Sequence, residues 1–226
     1  MTKTIAVLNQ KGGAGKTTIA TNLAHAFALD GQRVLLIDAD PQGSLRDWSE
    51  ANGGELLPVV ALDRESLVKD ITAVSHGYDF AIIDGPPQIA KLSAAAVKAA
   101  DLILIPVQPS PYDIWACADL VDVIQARQEV TGGKPRAVFA LSRLIKGTKL
   151  SREAAAALAD YQLPVLVGGT TQRVIYPASA ASGETVFATD PHGPAAVEIL
   201  LLKQQLLEVL HDARHQTHPP LVRQQA

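Results

Sequence analysis

The stretch Lys11-Gly12-Gly13-Ala14-Gly15-Lys16-Thr17-Thr18 restricts the possible folds of this chain more than any other feature. It follows the apolar run Thr4–Asn9 and leads into a helical pattern that begins near Thr17. Strand, glycine-rich turn, Gly-Lys-Thr and helix is the order that a phosphate-binding loop requires. The glycines let backbone N–H groups turn onto phosphate oxygens, where a Cβ would obstruct the approach. Lys16 supplies a cation for the β- and γ-phosphates, and the Thr17 hydroxyl is a ligand for Mg²⁺. The positive end of the following helix adds to that field. One position departs from the common spacing Gly-x-x-x-x-Gly-Lys-Ser/Thr: Gln10 replaces its first glycine, and a second lysine, Lys11, precedes the glycine pair.

A loop of this kind needs a sheet to stand on, and the remaining sequence has one. Continuous apolar runs at Arg33–Asp38, Pro58–Leu62, Tyr78–Asp84, Asp101–Val107, Arg136–Leu141 and Pro164–Val167 read as further strands, most of them buried on both faces. Helical patterns alternate with them at Thr17–Leu29, Ser44–Ala51, Arg64–Ser75, Lys91–Ala100, Tyr112–Thr131, Ser151–Tyr161 and Pro194–His211. This alternation predicts an α/β fold, a doubly wound and mainly parallel sheet with helices on both faces. At 226 residues, with nearly half of them apolar, the chain suits a single domain over residues 1–211. The polar residues 212–226 are expected to form a disordered tail. A strand beginning by residue 4 leaves no room for a signal peptide, and no run is long enough to span a membrane. The formal charge of −3 confines any nucleic-acid contact to a local patch, and a single cysteine, Cys117, excludes an internal disulfide.

Three carboxylates end predicted strands, at the edge where open α/β sheets bind ligands. Asp84 follows Phe80-Ala81-Ile82-Ile83, as the carboxylate that orients Mg²⁺ beside a phosphate loop should. Asp38 and Asp40 stand two residues apart at another strand end and can face the same crevice. One can support the metal shell while the other orients the attacking water. A turn begun by Asp40 before Pro41 is the weaker, structural explanation of that residue.

The Lys-Gly-Gly-x-Gly-Lys-Thr form of the loop resembles the deviant Walker A of the ParA/MinD ATPases. Leu36-Ile37-Asp38-Ala39-Asp40-Pro41-Gln42, Ala81-Ile82-Ile83-Asp84 and Ile105-Pro106-Val107 extend the resemblance from residue 3 to about 210. The length looks like that of the small ParA/ParF-type partition ATPases. The resemblance implies ATP and ADP as ligands, with Mg²⁺, held by Gly12, Gly13, Ala14, Gly15, Lys16, Thr17 and Thr18. It also implies base or ribose contacts near Pro106. It assigns water positioning to Asp40 and the Mg²⁺/Thr17 shell to Asp38, beside Asp84. It further implies an ATP-dependent sandwich dimer in which Lys11 crosses to the partner's phosphates, comparable to an arginine finger.

Family members hold DNA without sequence preference through basic residues. In this chain Arg143, Lys146, Lys149 and Arg152 form a net basic stretch, to which Arg173 and Arg214 are possible additions. A solvated loop and helix start explains the same stretch almost as well. The expected function is a cytoplasmic, nucleoid-associated ATPase for partition or cargo positioning, whose hydrolysis a ParB-like or other adaptor stimulates. Two alternatives remain on the same scaffold: a MinD-like membrane-cycling ATPase, and a metabolic ligase of dethiobiotin-synthetase type. Pro194–His211 makes a poor membrane anchor because it has one lysine among several glutamines and glutamates.

Overall fold

The apolar runs that end in Asp38 and Asp84 lie side by side in the structure, a computed structural model that describes residues 1–64, 67–87 and 91–211. They are β2 (Val34–Asp38) and β4 (Phe80–Asp84), paired in parallel so that Asp38 stands opposite Asp84. With β1 (Lys3–Val7), β3 (Val59–Ala61), β5 (Leu102–Val107) and β6 (Arg136–Leu141) they make a six-stranded sheet in the order β3-β2-β4-β1-β5-β6. Every strand pairing in it is parallel. The doubly wound sheet expected from the sequence is therefore present. The chain reverses its direction of travel at β1, between β4 and β5, where an open sheet splits to form its ligand crevice.

Alternate residues of each strand feed two separate cores, because successive side chains leave a strand on opposite faces. One core holds Ala6, Leu35, Ile37, Ile83, Ile103 and Phe139. It is covered by α3 (Leu67–Val74), α4 (Lys91–Ala99), α5 (Pro111–Trp115), α6 (Ala118–Thr131) and α7 (Lys149–Ala159). The other holds Ile5, Val7, Leu36, Ile82, Leu104 and Val138. Helices α1 (Lys16–Leu29), α2 (Ser44–Ala51) and, further along the chain, Pro194–His211 cover it. Phe27 of α1 stacks on Phe80 of β4 with ring centroids 4.2 Å apart. Each fully buried Leu, Ile or Phe contributes roughly 1.5–3 kcal/mol, so the two cores account for most of the stabilisation. The short helices α8 (Ile175–Ala181) and α9 (Val186–Thr189) join α1 and the last helix, α10 (Pro194–His211), in a third, smaller cluster.

The structure corrects several expected boundaries. Pro164–Val167 is not a seventh strand but one bridge from Val165 to Phe139. Pro164 has no N–H to give a ladder, and Gly169 follows a path where a Cβ would lie 2.2 Å from the Leu141 carbonyl. The expected single helix over Tyr112–Thr131 is two, α5 and α6. At the break the Cys117 N–H bonds to Ile114 O, while its thiol takes Asp113 O, the carbonyl a continuous helix would have used. Helix α7 starts at Lys149 rather than Ser151, because the Thr148 side chain accepts the Ser151 N–H and caps the helix two residues earlier. Thr185–Ala188 enters a single helical turn. The expected tail, residues 212–226 with Arg214, lies outside the described residues. Among the described residues no helix is long and apolar enough to cross a membrane.

Candidate functional site

The phosphate-loop segment leaves β1 at Val7 and enters α1 at Lys16. Gly13 and Gly15 both take the left-handed backbone, φ 75° and 91°, where a Cβ would be strained. Three polar side chains hold the turn from outside with four hydrogen bonds. Asn9 Nδ2 donates to Pro106 O at 2.6 Å, and Asn9 Oδ1 accepts the Lys11 N–H at 2.8 Å. Gln108 Nε2 donates to Gly13 O at 2.9 Å, and Ser142 Oγ donates to Ala14 O at 2.8 Å. Peptide planarity then points the N–H groups of Ala14 and Gly15 away from Gln108 and Ser142. Asn9, Gln108 and Ser142 each stand at or just past the end of a strand, β1, β5 and β6. That position was a usable signal which the sequence analysis missed.

Lys16 is buried, with its ammonium 3.1 Å from the Lys11 carbonyl of its own loop. Burial pulls its pKa down, and the charges of Asp84 and Asp40 push it back up. Both carboxylates are thus near enough to act on the ammonium, one at the end of β4 and the other in the turn after β2. Lys11 is exposed, as is Gly12, while Ala14 is fully buried. Thr18 borders a cleft of about 280 Å³ between α1, α2 and α8, with Thr17, Thr21, Asp47 and Trp48.

The carboxylates differ in what they hold. Asp84 is buried, and its Oδ2 accepts the Thr17 hydroxyl at 2.6 Å. Its Oδ1 is buried without a hydrogen-bond partner, and burial pushes its pKa up to about 7. A buried carboxylate with one bare oxygen, beside a hydroxyl, fits a divalent cation or a water bound to one. Asp38 stands opposite Asp84, and its own hydrogen bonds go to the turn that follows β2. Its Oδ2 accepts both the backbone N–H and Nε of Arg46, each at 3.1 Å, and Oδ1 accepts the Asp40 N–H. Burial raises the Asp38 pKa, and the N–H groups of Arg46 and Asp40, with the Arg46 charge, oppose that rise. Asp40 is half-exposed, and its Oδ1 accepts the Gln42 N–H at 3.0 Å, the turn bond expected of Asp before Pro.

Pro106 lies buried inside β5, opposite Ala140, and spends its carbonyl on Asn9. Pairing of β1 with β5 ends at Leu104, so the missing N–H of Pro106 leaves no gap in the ladder. Its side chain is buried in the fold. Arg143, Lys146, Lys149 and Arg152 are exposed around the end of β6 and the start of α7. Lys149 pairs with Glu153 at 3.1 Å. Arg143 has a left-handed backbone, φ 54°, and its Nη1 lies 3.9 Å from where a Gly13 Cβ would stand, which brings its charge to the phosphate loop. Arg173 is less exposed than these four and is engaged in an ion pair. Its guanidinium donates to Glu198 Oε1 from Nε and Nη2, at 3.1 and 2.9 Å. Glu198 also accepts Thr171 and the Tyr176 hydroxyl. Burial alone would raise its pKa, but these donors hold it below the ordinary carboxylate range.

Comparison with known proteins agrees with this geometry. The sequence profile described as the CobQ/CobB/MinD/ParA nucleotide binding domain matches residues 5–215. The maintenance of carboxysome distribution protein A of Halothiobacillus neapolitanus is 32% identical over 199 residues, covering 86% of this chain and 91% of that protein. The sporulation initiation inhibitor protein Soj of Bacillus subtilis is 31% identical over 170 residues, 57% of this chain and 67% of its own. Among solved structures, a Cyanothece McdA–ATP complex shares the fold with a TM-score of 0.74 and 19% identity, over 92% of this chain and 96% of that one.

Proposed function

This chain belongs to the CobQ/CobB/MinD/ParA nucleotide-binding family, and from that premise we propose that it is a ParA-like, Mg²⁺-dependent ATPase that positions a cargo. Residues 1–211 act as one ATPase unit. The observation that carries this reading is the division of labour between two lysines five residues apart. Lys16 is buried among Asp84, Asp40 and the loop carbonyls, whereas Lys11 is held at its backbone and leaves its side chain in solvent. A lysine so placed is available to a second molecule and not to its own loop.

In this reading the loop N–H groups and Lys16 hold the β- and γ-phosphates of ATP. Mg²⁺ neutralises phosphate charge when bound. Among the described residues no three carboxylate, His or Cys side chains are grouped to hold a metal by themselves, so Thr17 and Asp84 would share the ion with phosphate oxygens. Asp40, facing Lys16 across the crevice, orients the attacking water. Lys11 reaches the phosphates of the opposite subunit, which makes the dimer a reporter of the γ-phosphate. The dimer presents Lys146 and Arg152 to DNA phosphates without reading sequence, and an adaptor stimulates hydrolysis and release. Helix α10 favours DNA over a membrane surface as the support. Most of its apolar residues are buried in the fold, and its exposed Val197, Leu200 and Leu201 are flanked by no exposed lysine or arginine of that helix, whose one lysine, Lys203, is buried.

Co-sedimentation with non-specific DNA tests the switch. The protein should pellet with ATP and not with ADP or without nucleotide, and pelleting should weaken steeply between about 50 and 200 mM salt. Equal binding in all three nucleotide states would refute it.

A further inference from the structure

One guanidinium grips the whole turn that carries Asp40. Arg46, in the first turn of α2, donates its backbone N–H and Nε to Asp38 Oδ2, both at 3.1 Å. Its Nη2 donates to the carbonyl of Asp40 at 3.1 Å and reaches that of Pro41 at 3.4 Å. Its Nη1 lies 3.4 Å from Asp63, two residues beyond β3. Asp40 is thereby held at both ends of its own backbone: its N–H donates to Asp38 Oδ1, and its carbonyl accepts Arg46. Gly43 makes the grip possible. At φ +74° it turns the chain back into α2, and a Cβ there would stand 3.1 Å from the guanidinium.

We propose that Arg46 is a positioning residue for hydrolysis, fixing the 38–41 turn so that the Asp40 carboxylate meets the attacking water. This rests on the ATPase reading and on Asp40 as the water-positioning group. The geometry distinguishes such a role from an ordinary ion pair. A surface pair would need only one carboxylate, and exposed pairs contribute little. Here one planar fork satisfies a fully buried carboxylate, two turn carbonyls and the edge of β3 together, which only arginine can do. Asp38 is what makes the grip stiff. It is fully buried and both its oxygens are engaged, so the turn cannot shift without exposing or stranding a carboxylate. Arg46 itself keeps about a third of its side chain in solvent and touches neither Lys16 nor Thr17 in any contact described above. Its influence on the phosphates therefore runs through Asp40.

Single-turnover ATP hydrolysis and nucleotide affinity, measured together on Arg46→Met, Arg46→Lys, Asp40→Ala and the double variant, decide the matter. A misplaced catalytic group costs up to roughly 100-fold in rate. Arg46→Met should lose about 10- to 100-fold in kcat with the Kd for ATP within about threefold of the parent, and Arg46→Lys should lie between. In the Asp40→Ala background the Arg46→Met change should cost less than about twofold, because the group it positions is gone. Parent-like kcat in Arg46→Met would overturn the inference, as would additive losses in the double variant. Loss of ATP affinity together with a lower melting temperature would also overturn it, by showing Arg46 to be a stability pair. Parent-like hydrolysis by Asp40→Ala, or no hydrolysis by the parent chain, would instead remove the reading on which it rests.

Discussion

Replacing Asp84 by Asn should make the nucleotide-free protein more resistant to unfolding as pH rises, while abolishing hydrolysis. Asp84 is buried at the end of β4, one oxygen on Thr17 and the other without a partner, and its pKa is pushed up to about 7 by burial. In the unfolded chain the same group titrates near 3.8. Between these values the folded protein holds a proton that the unfolded chain has lost, so stability falls as pH rises through that window. The loss is complete above pH 7, at about 4 kcal/mol for a separation of this size. Integrating the two titrations from pH 5 to pH 8 gives a decline of roughly 2–3 kcal/mol from this carboxylate. Asn still accepts the Thr17 hydroxyl but places an amide where Oδ1 had no partner, a pH-independent cost of about 1–3 kcal/mol. The intercept therefore shifts, whereas the slope does not. Urea unfolding of both proteins in chelator at pH 5, 6, 7 and 8 should show the variant gaining roughly 2–3 kcal/mol on the parent across the series, or about 5–10 °C in Tm. Asp38 tends the same way, and its repulsion with Asp84 leaves part of that trend in the difference, with the same sign. A gap that stays constant over pH 5–8 would refute the claim that Asp84 is a desolvated carboxylate awaiting a cation.

Other perturbations probe the scaffold and the dimer. Lys203 is buried in α10, with its ammonium 2.7 Å from Asp30 and 3.1 Å from Ala26 O at the end of α1. Lys203→Met keeps the volume, and Asp30 is half-exposed and can rehydrate, so chemical denaturation should show a loss of only about 1–2 kcal/mol. A larger loss would mean that Asp30 cannot reach water. Gly183→Ala should cost more than about 2 kcal/mol, because Gly183 has φ +68° and a Cβ there would lie 2.6 Å from both Asn52 N and Trp48 O. The Trp48 indole, which donates to Glu184 O, should report the displacement by a red-shifted emission, and unchanged emission and stability would contradict the packing. Lys11→Ala should bind ATP normally yet sediment as a monomer with it, and normal ATP-dependent dimers would remove the role of Lys11 in trans.

Much of this protein was legible before any tertiary structure, where the controlling physics is local. The apolar runs around Leu36, Ile82 and Leu104 fill both faces of a strand, which only a sheet covered on both sides allows. The left-handed turns at Gly13 and Gly15, and the burial of Lys16 behind them, follow from the loop sequence and the helix it opens. Where a local rule had a rival the reading slipped: the Cys117 thiol took a helix carbonyl, and Pro164 with Gly169 reduced a strand to one bridge. Sequence placed three carboxylates at strand ends but could not say which partner each would find. That is decided by distance through space, since a buried charge settles on whatever donor the packing brings within hydrogen-bonding reach, about 3 Å. Packing brings Arg46 to Asp38, Thr17 to Asp84 across 67 residues, and Glu198 to Arg173. The loop that announced a nucleotide site therefore acquired its metal-ready carboxylate, and Arg173 its ion pair with Glu198, only when the chain folded.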